Sequence, residues 1–184
     1  MKVLKSLSLM ALLMSCMVIA LFSCDDEQVI TLVTKDSAIG DYTGNLIANG
    51  DDSEVVKVSV DKANIVIKDF PVDSIVKYIV PAEDLQDAMA SVGEVNCNIG
   101  YEPSLFSLNL FLELNPAPLE FTMTLGGDSK EVNVGLSTRD ENGIYNGTDN
   151  SLTFEIVANN VTVNGNAVTS FKSITYQFNS TDKE

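Results

Sequence analysis

Apolar and polar residues alternate strictly in "VVKVSV", where Val56, Val58 and Val60 fall on one parity and Lys57 and Ser59 on the other. A period of two marks a strand with one face in a core and one in water. In "IGDYTGNL", Tyr42 and Leu46 flank Gly44 on one parity, and Asn49-Gly50 and Asp61-Lys62 separate the apolar runs. Such pairs reverse the chain readily, so residues 39–70 predict a β-meander.

At Pro71 the period changes. Val72, Ile75, Val76 and Ile79 recur at helical spacing, and after Pro81 a second stripe of Leu85, Ala88, Met89 and Val92 ends at Gly93. Proline at a first turn, the acids Glu83 and Asp84 behind it and glycine past the end are helix boundary signals. Residues 71–92 therefore predict a helical excursion in two short pieces.

Strands then return. Val95, Cys97, Ile99 and Tyr101 alternate with polar residues, and "LFSLNLFLEL" reads as one strand with Phe106, Leu108, Leu110, Leu112 and Leu114 on a single face. Further strands are predicted at 121–125, 132–136, 152–157, 161–163 and 174–178, with turns at Gly126-Gly127, Asn142-Gly143, Asn159-Asn160 and Asn164-Gly165. About nine or ten short strands at this spacing predict an all-β, mainly antiparallel barrel or barrel-like sandwich, carrying the helical excursion on one end or face. Its inward positions are large, namely Phe106, Leu108, Leu110, Leu112, Leu114, Phe121, Met123, Phe154, Ile156, Tyr176 and Phe178, so a filled interior is expected.

The first residues follow another pattern. Lys2 and Lys5 precede an uncharged run from Leu7 to Phe22, which has the form of a secretory signal sequence. At about sixteen residues it falls short of the roughly 20 that a spanning helix needs. It ends in Leu21-Phe22-Ser23-Cys24, which resembles the lipobox of bacterial lipoproteins, although Phe22 is bulkier than usual there. The resemblance implies cleavage before Cys24, with Cys24 acylated. The competing readings are a secreted protein cut elsewhere and a permanent membrane anchor. Asp25-Asp26-Glu27 resembles the acidic signal that sends Bacteroidota lipoproteins to the outer face of the outer membrane. A plainly solvated tether is the alternative, with Val29 to Val33 able to pair as a first strand.

"IGDYTGNL" looks like the Gly-x-Tyr-x-Gly opening strand of calycin-like, lipocalin-like domains in such lipoproteins. From "FPVDSIV" through "PAPLEFTMTLGG" to "SITYQF", the chain resembles a family of them known only as a domain of unknown function. The resemblance implies a signal peptide over 1–23, an acylated tether over 24–37 and one barrel-like domain over 38–180. Its motifs are structural glycines, prolines and core aromatics, so it brings no catalytic residue.

Composition narrows the chemistry. The 184 residues carry 26 acids against 11 bases, a formal charge of -15. Loss of the leader would remove Lys2 and Lys5 and no acid. This acidity opposes binding to nucleic acid and to anionic lipid surfaces. The chain has no histidine, which removes Ser-His-Asp and Cys-His catalysis and His-based metal sites. Past Cys16 and Cys24 only Cys97 remains, so the processed chain has no intramolecular disulfide and no cysteine-rich zinc site. On an apolar strand face, Cys97 is expected to be an inert core thiol.

The acids cluster in turn-like segments, "NGDDSE" and "TRDENG", and not as a facing pair. Asp140, Asn142 and Gly143 match part of a calcium loop, but its later ligands do not follow, so a hydrated loop is expected. No metal and no cofactor is implied. Among the tyrosines, Tyr145, in "NGIYNGTDN", is the exposed candidate for a ligand contact. The function expected is a lipid-anchored, extracytoplasmic binding or interaction module without catalysis, tied to outer-membrane lipid and to a protein or glycan partner. A lipocalin-like carrier of a small apolar or glycan ligand is the alternative.

Overall fold

In the computed structural model, which describes residues 32–184 other than 51, 140 and 141, the alternation of the first strands is present residue by residue. In β1 (Gly40–Ala48), Tyr42, Gly44 and Leu46 are buried and their neighbours are not. β2 (Asp52–Val60) buries Val56, Val58 and Val60, and β3 (Asn64–Lys68) buries Ile65 and Ile67. All three pair antiparallel in sequence.

The remaining strands are β4 (Cys97–Phe106), β5 (Asn109–Pro116), β6 (Leu119–Leu125), β7 (Asp128–Ser137), β8 (Asn142–Asn146), β9 (Ser151–Val163), β10 (Asn166–Ala167) and β11 (Ile174–Lys183). Neighbours run β1-β2-β3-β4-β5-β8-β9-β11, and β11 pairs with β1. Eight antiparallel strands thus close into a barrel, which decides between the barrel and the open sandwich. A barrel of this size is one that side chains can fill. Here Tyr42, Leu46, Ile65, Ile67, Ile99, Leu110, Leu112, Tyr176 and Phe178 are fully buried. The Phe154 and Phe178 rings stack with centroids 5.0 Å apart.

β6 and β7 form a hairpin outside the ring. Its tip is Gly126-Gly127, both at positive φ, as a two-residue hairpin turn requires. β7 continues along β9 where β8 stops, so β9 carries the barrel on its first half and the hairpin on its second. Phe121 and Met123, expected inside the barrel, belong to this hairpin.

The helical excursion consists of α1 (Asp73–Ile79) and α2 (Leu85–Ser91). Neither has a side-chain cap, and helices this short are held by burial of an apolar face, not by intrinsic propensity. Val72, Ile75, Val76 and Ala88 supply that face. α2 packs on β6, and the Ser91 hydroxyl accepts the Thr124 N–H at 2.7 Å while donating to the Ala88 carbonyl at 2.6 Å. Phe70, leading into α1, packs its ring 4.8 Å from that of Tyr176. The excursion therefore covers the barrel end where β1 finishes and β2 and β11 begin.

The opposite end is covered by residues 33–38, of which 33–37 belong to the stretch expected to be a tether. Val33 and Ala38 are buried, the Tyr42 hydroxyl donates to the Ala38 carbonyl at 2.7 Å, and Lys183 Nζ donates to the Ser37 carbonyl at 2.6 Å. That ammonium lies 5.3 and 4.9 Å from the ring centroids of Tyr42 and Tyr145, within cation–π range, and burial lowers its pKa.

Four further sequence readings change. "LFSLNLFLEL" is two strands, broken at Ser107-Leu108 with Ser107 at φ 58°. Phe106 is consequently 68% exposed and Leu108 is exposed too. Asn142-Gly143 is no turn but opens β8, pairing with Glu113 and Leu112. Asn159-Asn160 lies inside the continuous β9, where a register shift between Gly135 and Leu136 leaves Asn159 without a paired partner residue, a β-bulge. Val33 joins no strand, and Val29 to Thr31 lie outside the described residues.

Cys97 sits where the alternation predicts, fully buried at the start of β4. Burial pushes its thiol up to about 12. In the native protein it should resist a thiol reagent at neutral pH and react after denaturation. Cys97→Ser should cost about 1–3 kcal/mol by burying a hydroxyl without a partner. Rapid labelling of the folded protein would contradict this placement.

Candidate functional site

A cleft opens between the barrel mouth and α1. Its floor is Leu46, Ala48 and Pro71, and Ser53, Glu54, Asp73, Ser74, Lys77 and Tyr176 complete the lining. Each is there for a local reason. Leu46 and Ala48 end β1 as it reaches the mouth, Ser53 and Glu54 begin β2, and Pro71 turns the chain so that α1 sets Asp73, Ser74 and Lys77 on the rim.

Tyr176 comes from β11, fully buried, and its hydroxyl has no hydrogen-bond partner among the described residues. Burial raises its pKa well above the ordinary tyrosine value, and the Asp73 and Glu54 carboxylates add to that. It is therefore a neutral phenol, on a residue lining a cleft that also carries two carboxylates and an ammonium. A buried polar group left unpaired is costly.

The cleft measures about 180 Å³. Pockets for drug-sized ligands usually measure roughly 300–1,000 Å³, so it suits a few polar atoms and not a lipocalin-sized apolar ligand. Larger depressions of about 500 and 410 Å³ lie on paired strands of the outer surface, one beside Glu120 and Glu131 and one beside Glu102 and Glu113. They are open and shallow. Among the described residues no three His, Cys, Asp or Glu side chains gather so as to hold a metal ion.

The sequence of residues 37–163 matches the family described as Domain of unknown function (DUF4840). The chain belongs to this family. The DUF4840 match spans β1 to β9 and stops at Val163. β11, which closes the ring and supplies Tyr176, lies beyond it. No curated protein and no solved structure matches the chain.

Of the expected site residues, only Tyr145 lies among the described residues. Cys24 and Asp25-Asp26-Glu27 lie outside the described residues, as does Asp140 of the acidic loop. Tyr145, expected to be exposed, is 2% exposed on β8. Its hydroxyl donates to Asn150 Oδ1 at 2.6 Å, and burial followed by the Asp149 charge raises its pKa. It is a wall of this DUF4840 barrel and not a surface platform, because the segment read as a loop is a strand whose alternate positions face in. Sequence reasoning placed Tyr176 in the core but gave no sign that its hydroxyl is unpaired. That depends on the position of α1, which alternation along β11 does not encode.

Proposed function

We propose that this chain is a lipid-anchored, extracytoplasmic binding or interaction module, acting without catalysis from the bacterial outer membrane, and of the lipocalin-like lipoprotein type found in Bacteroidota. The anchor is Cys24, and Asp25-Asp26-Glu27 direct it to the cell surface. The observation that carries the module reading is the filled barrel. Phe154, Phe178, Leu110, Leu112 and their neighbours occupy the space in which a carrier would hold its cargo, which leaves outer surface and loops for recognition.

A carrier of a small apolar or glycan ligand is the second reading. The cleft below α1 favours it, with the unpaired Tyr176 hydroxyl as donor.

The test uses protein extracted from its own membrane. Intact mass should show cleavage before Cys24 with added acyl mass, and Cys24→Ala should abolish both. Native mass spectrometry after desalting should show bare protein. A retained stoichiometric small molecule would favour the carrier, and a mature terminus elsewhere would remove the anchor. Replacing Asp25, Asp26 and Glu27 with Ala should reduce protease accessibility on intact cells.

A further inference from the structure

We propose that the β4–β5 end of the barrel docks onto the phospholipid bilayer that holds the anchor, seating Leu105, Phe106 and Leu108 in its interfacial zone. This rests on the lipid-anchor reading above. The first observation is the patch itself. Leu105, Phe106 and Leu108 are exposed at the hairpin turn, the Phe106 and Phe111 rings meet edge to face at 5.9 Å, and Ile144 is exposed opposite Phe111 in register. Isolated apolar side chains on a surface need no explanation, but a contiguous group with aromatics marks a docking surface.

The second observation is charge. From Pro103 to Leu112 there is no ionisable side chain, in a protein with 26 acids and 11 bases. Glu102 and Glu113, paired across the two strands, bound the stretch and are exposed. Apolar tip with a charged border is the profile of a segment that enters an interface and keeps its ions in water. The acidity of the rest of the chain excludes attraction to anionic lipid, so the partner is a bilayer recognised through its apolar depth and not through headgroup charge.

The third observation commits the patch to a membrane, because Val33 of the tether lies beside it. Val33 packs so closely against Gly147 that a methyl group there would overlap its side chain, and the Gly147 N–H donates to the Leu108 carbonyl at 2.8 Å. Val33 therefore sits beside the turn that presents Leu108, and Leu32, the first described residue, is 77% exposed. Only seven residues lie between Cys24 and Leu32, eight residue steps with a reach of at most about 30 Å. Tethering at this range holds the tip at high local concentration near the lipid, so a weak apolar contact is enough to orient the barrel. The helix-covered end and its cleft then face away from the membrane.

The chain has no tryptophan, so a single one reports its own surroundings. Full-length acylated Phe106→Trp and, as a control, Val55→Trp are reconstituted with vesicles of phosphatidylcholine and phosphatidylethanolamine that contain brominated phosphatidylcholine. Val55 is 73% exposed on β2, next to Glu54 of the cleft. Both should float with the vesicles. Phe106→Trp should shift its emission to the blue and be quenched several-fold more than Val55→Trp. Adding Leu108→Asp should reverse this without affecting flotation. Flotation with equal, weak quenching would overturn the docking and leave the anchor standing. Failure to float would overturn the anchor and with it the docking. A blue shift that grows with protein concentration before vesicles are added would overturn the proposal, because a second copy then covers the face.

Discussion

Gly44→Ala is expected to lower the free energy of unfolding by about 3 kcal/mol, or to prevent folding, since overpacking of this kind cannot be relieved by a side chain. A Cβ there would lie 2.5 Å from the Asn179 carbonyl oxygen and 2.7 Å from the Phe178 ring. The carbonyl is backbone in the strand that closes the barrel on β1, beside the register shift at Thr43 and Gly44. Moving it would open that seam. Gly100→Ala is the control, because its nearest atom would be the Asn115 carbonyl oxygen at 3.4 Å, and it should stay within about 0.5 kcal/mol of the parent. Urea denaturation of the three proteins, followed by circular dichroism, compares them directly. Equal midpoints for Gly44→Ala and the parent would remove close packing as the reason for a glycine at this position.

Phe178→Ala should cost about 3–5 kcal/mol, the range for a large aromatic removed from a core. Phe178 is fully buried, stacks on Phe154 and fills the room that Gly44 leaves. The variant carries a second expectation. An apolar void inside a packed protein stays dry and takes up small apolar molecules, so benzene or a similar probe should raise the melting temperature of Phe178→Ala and leave that of the parent unchanged. A rise in the parent would mean that the barrel already has accessible internal space, and the carrier reading would gain.

Most of the barrel strands were legible in the sequence because alternation reports burial. Val56, Val58 and Val60 in β2 and Cys97, Ile99 and Tyr101 in β4 point inward as their parity predicts. The two helices were legible because their stripes change period at Pro71. The closure of the ring was not. It depends on β5 meeting β8 and on β11 meeting β1 across long stretches of sequence, and no local pattern encodes a partner.

The turn at Ser107-Leu108 was hidden because Ser107 also fits the polar position of an unbroken apolar-polar alternation. β8 was hidden for the opposite reason, since Asn142-Gly143 looks like a turn and is used in a strand. One consequence was Phe106 assigned to the core when it lies on the surface. The cleft was out of reach altogether, since it exists only where a helix lies over the mouth of a closed ring.

The bond from Thr124 to Ser91 bears on what happens between molecules. Closing a ring abolishes strand edges, but β6 stands outside the ring and pairs on one side only, with β7. An open edge of this kind templates further strands from neighbouring copies. Here α2 lies against β6, and the Ser91 hydroxyl takes up the Thr124 N–H that an incoming strand would otherwise use. The helical excursion therefore also keeps the hairpin from seeding aggregation.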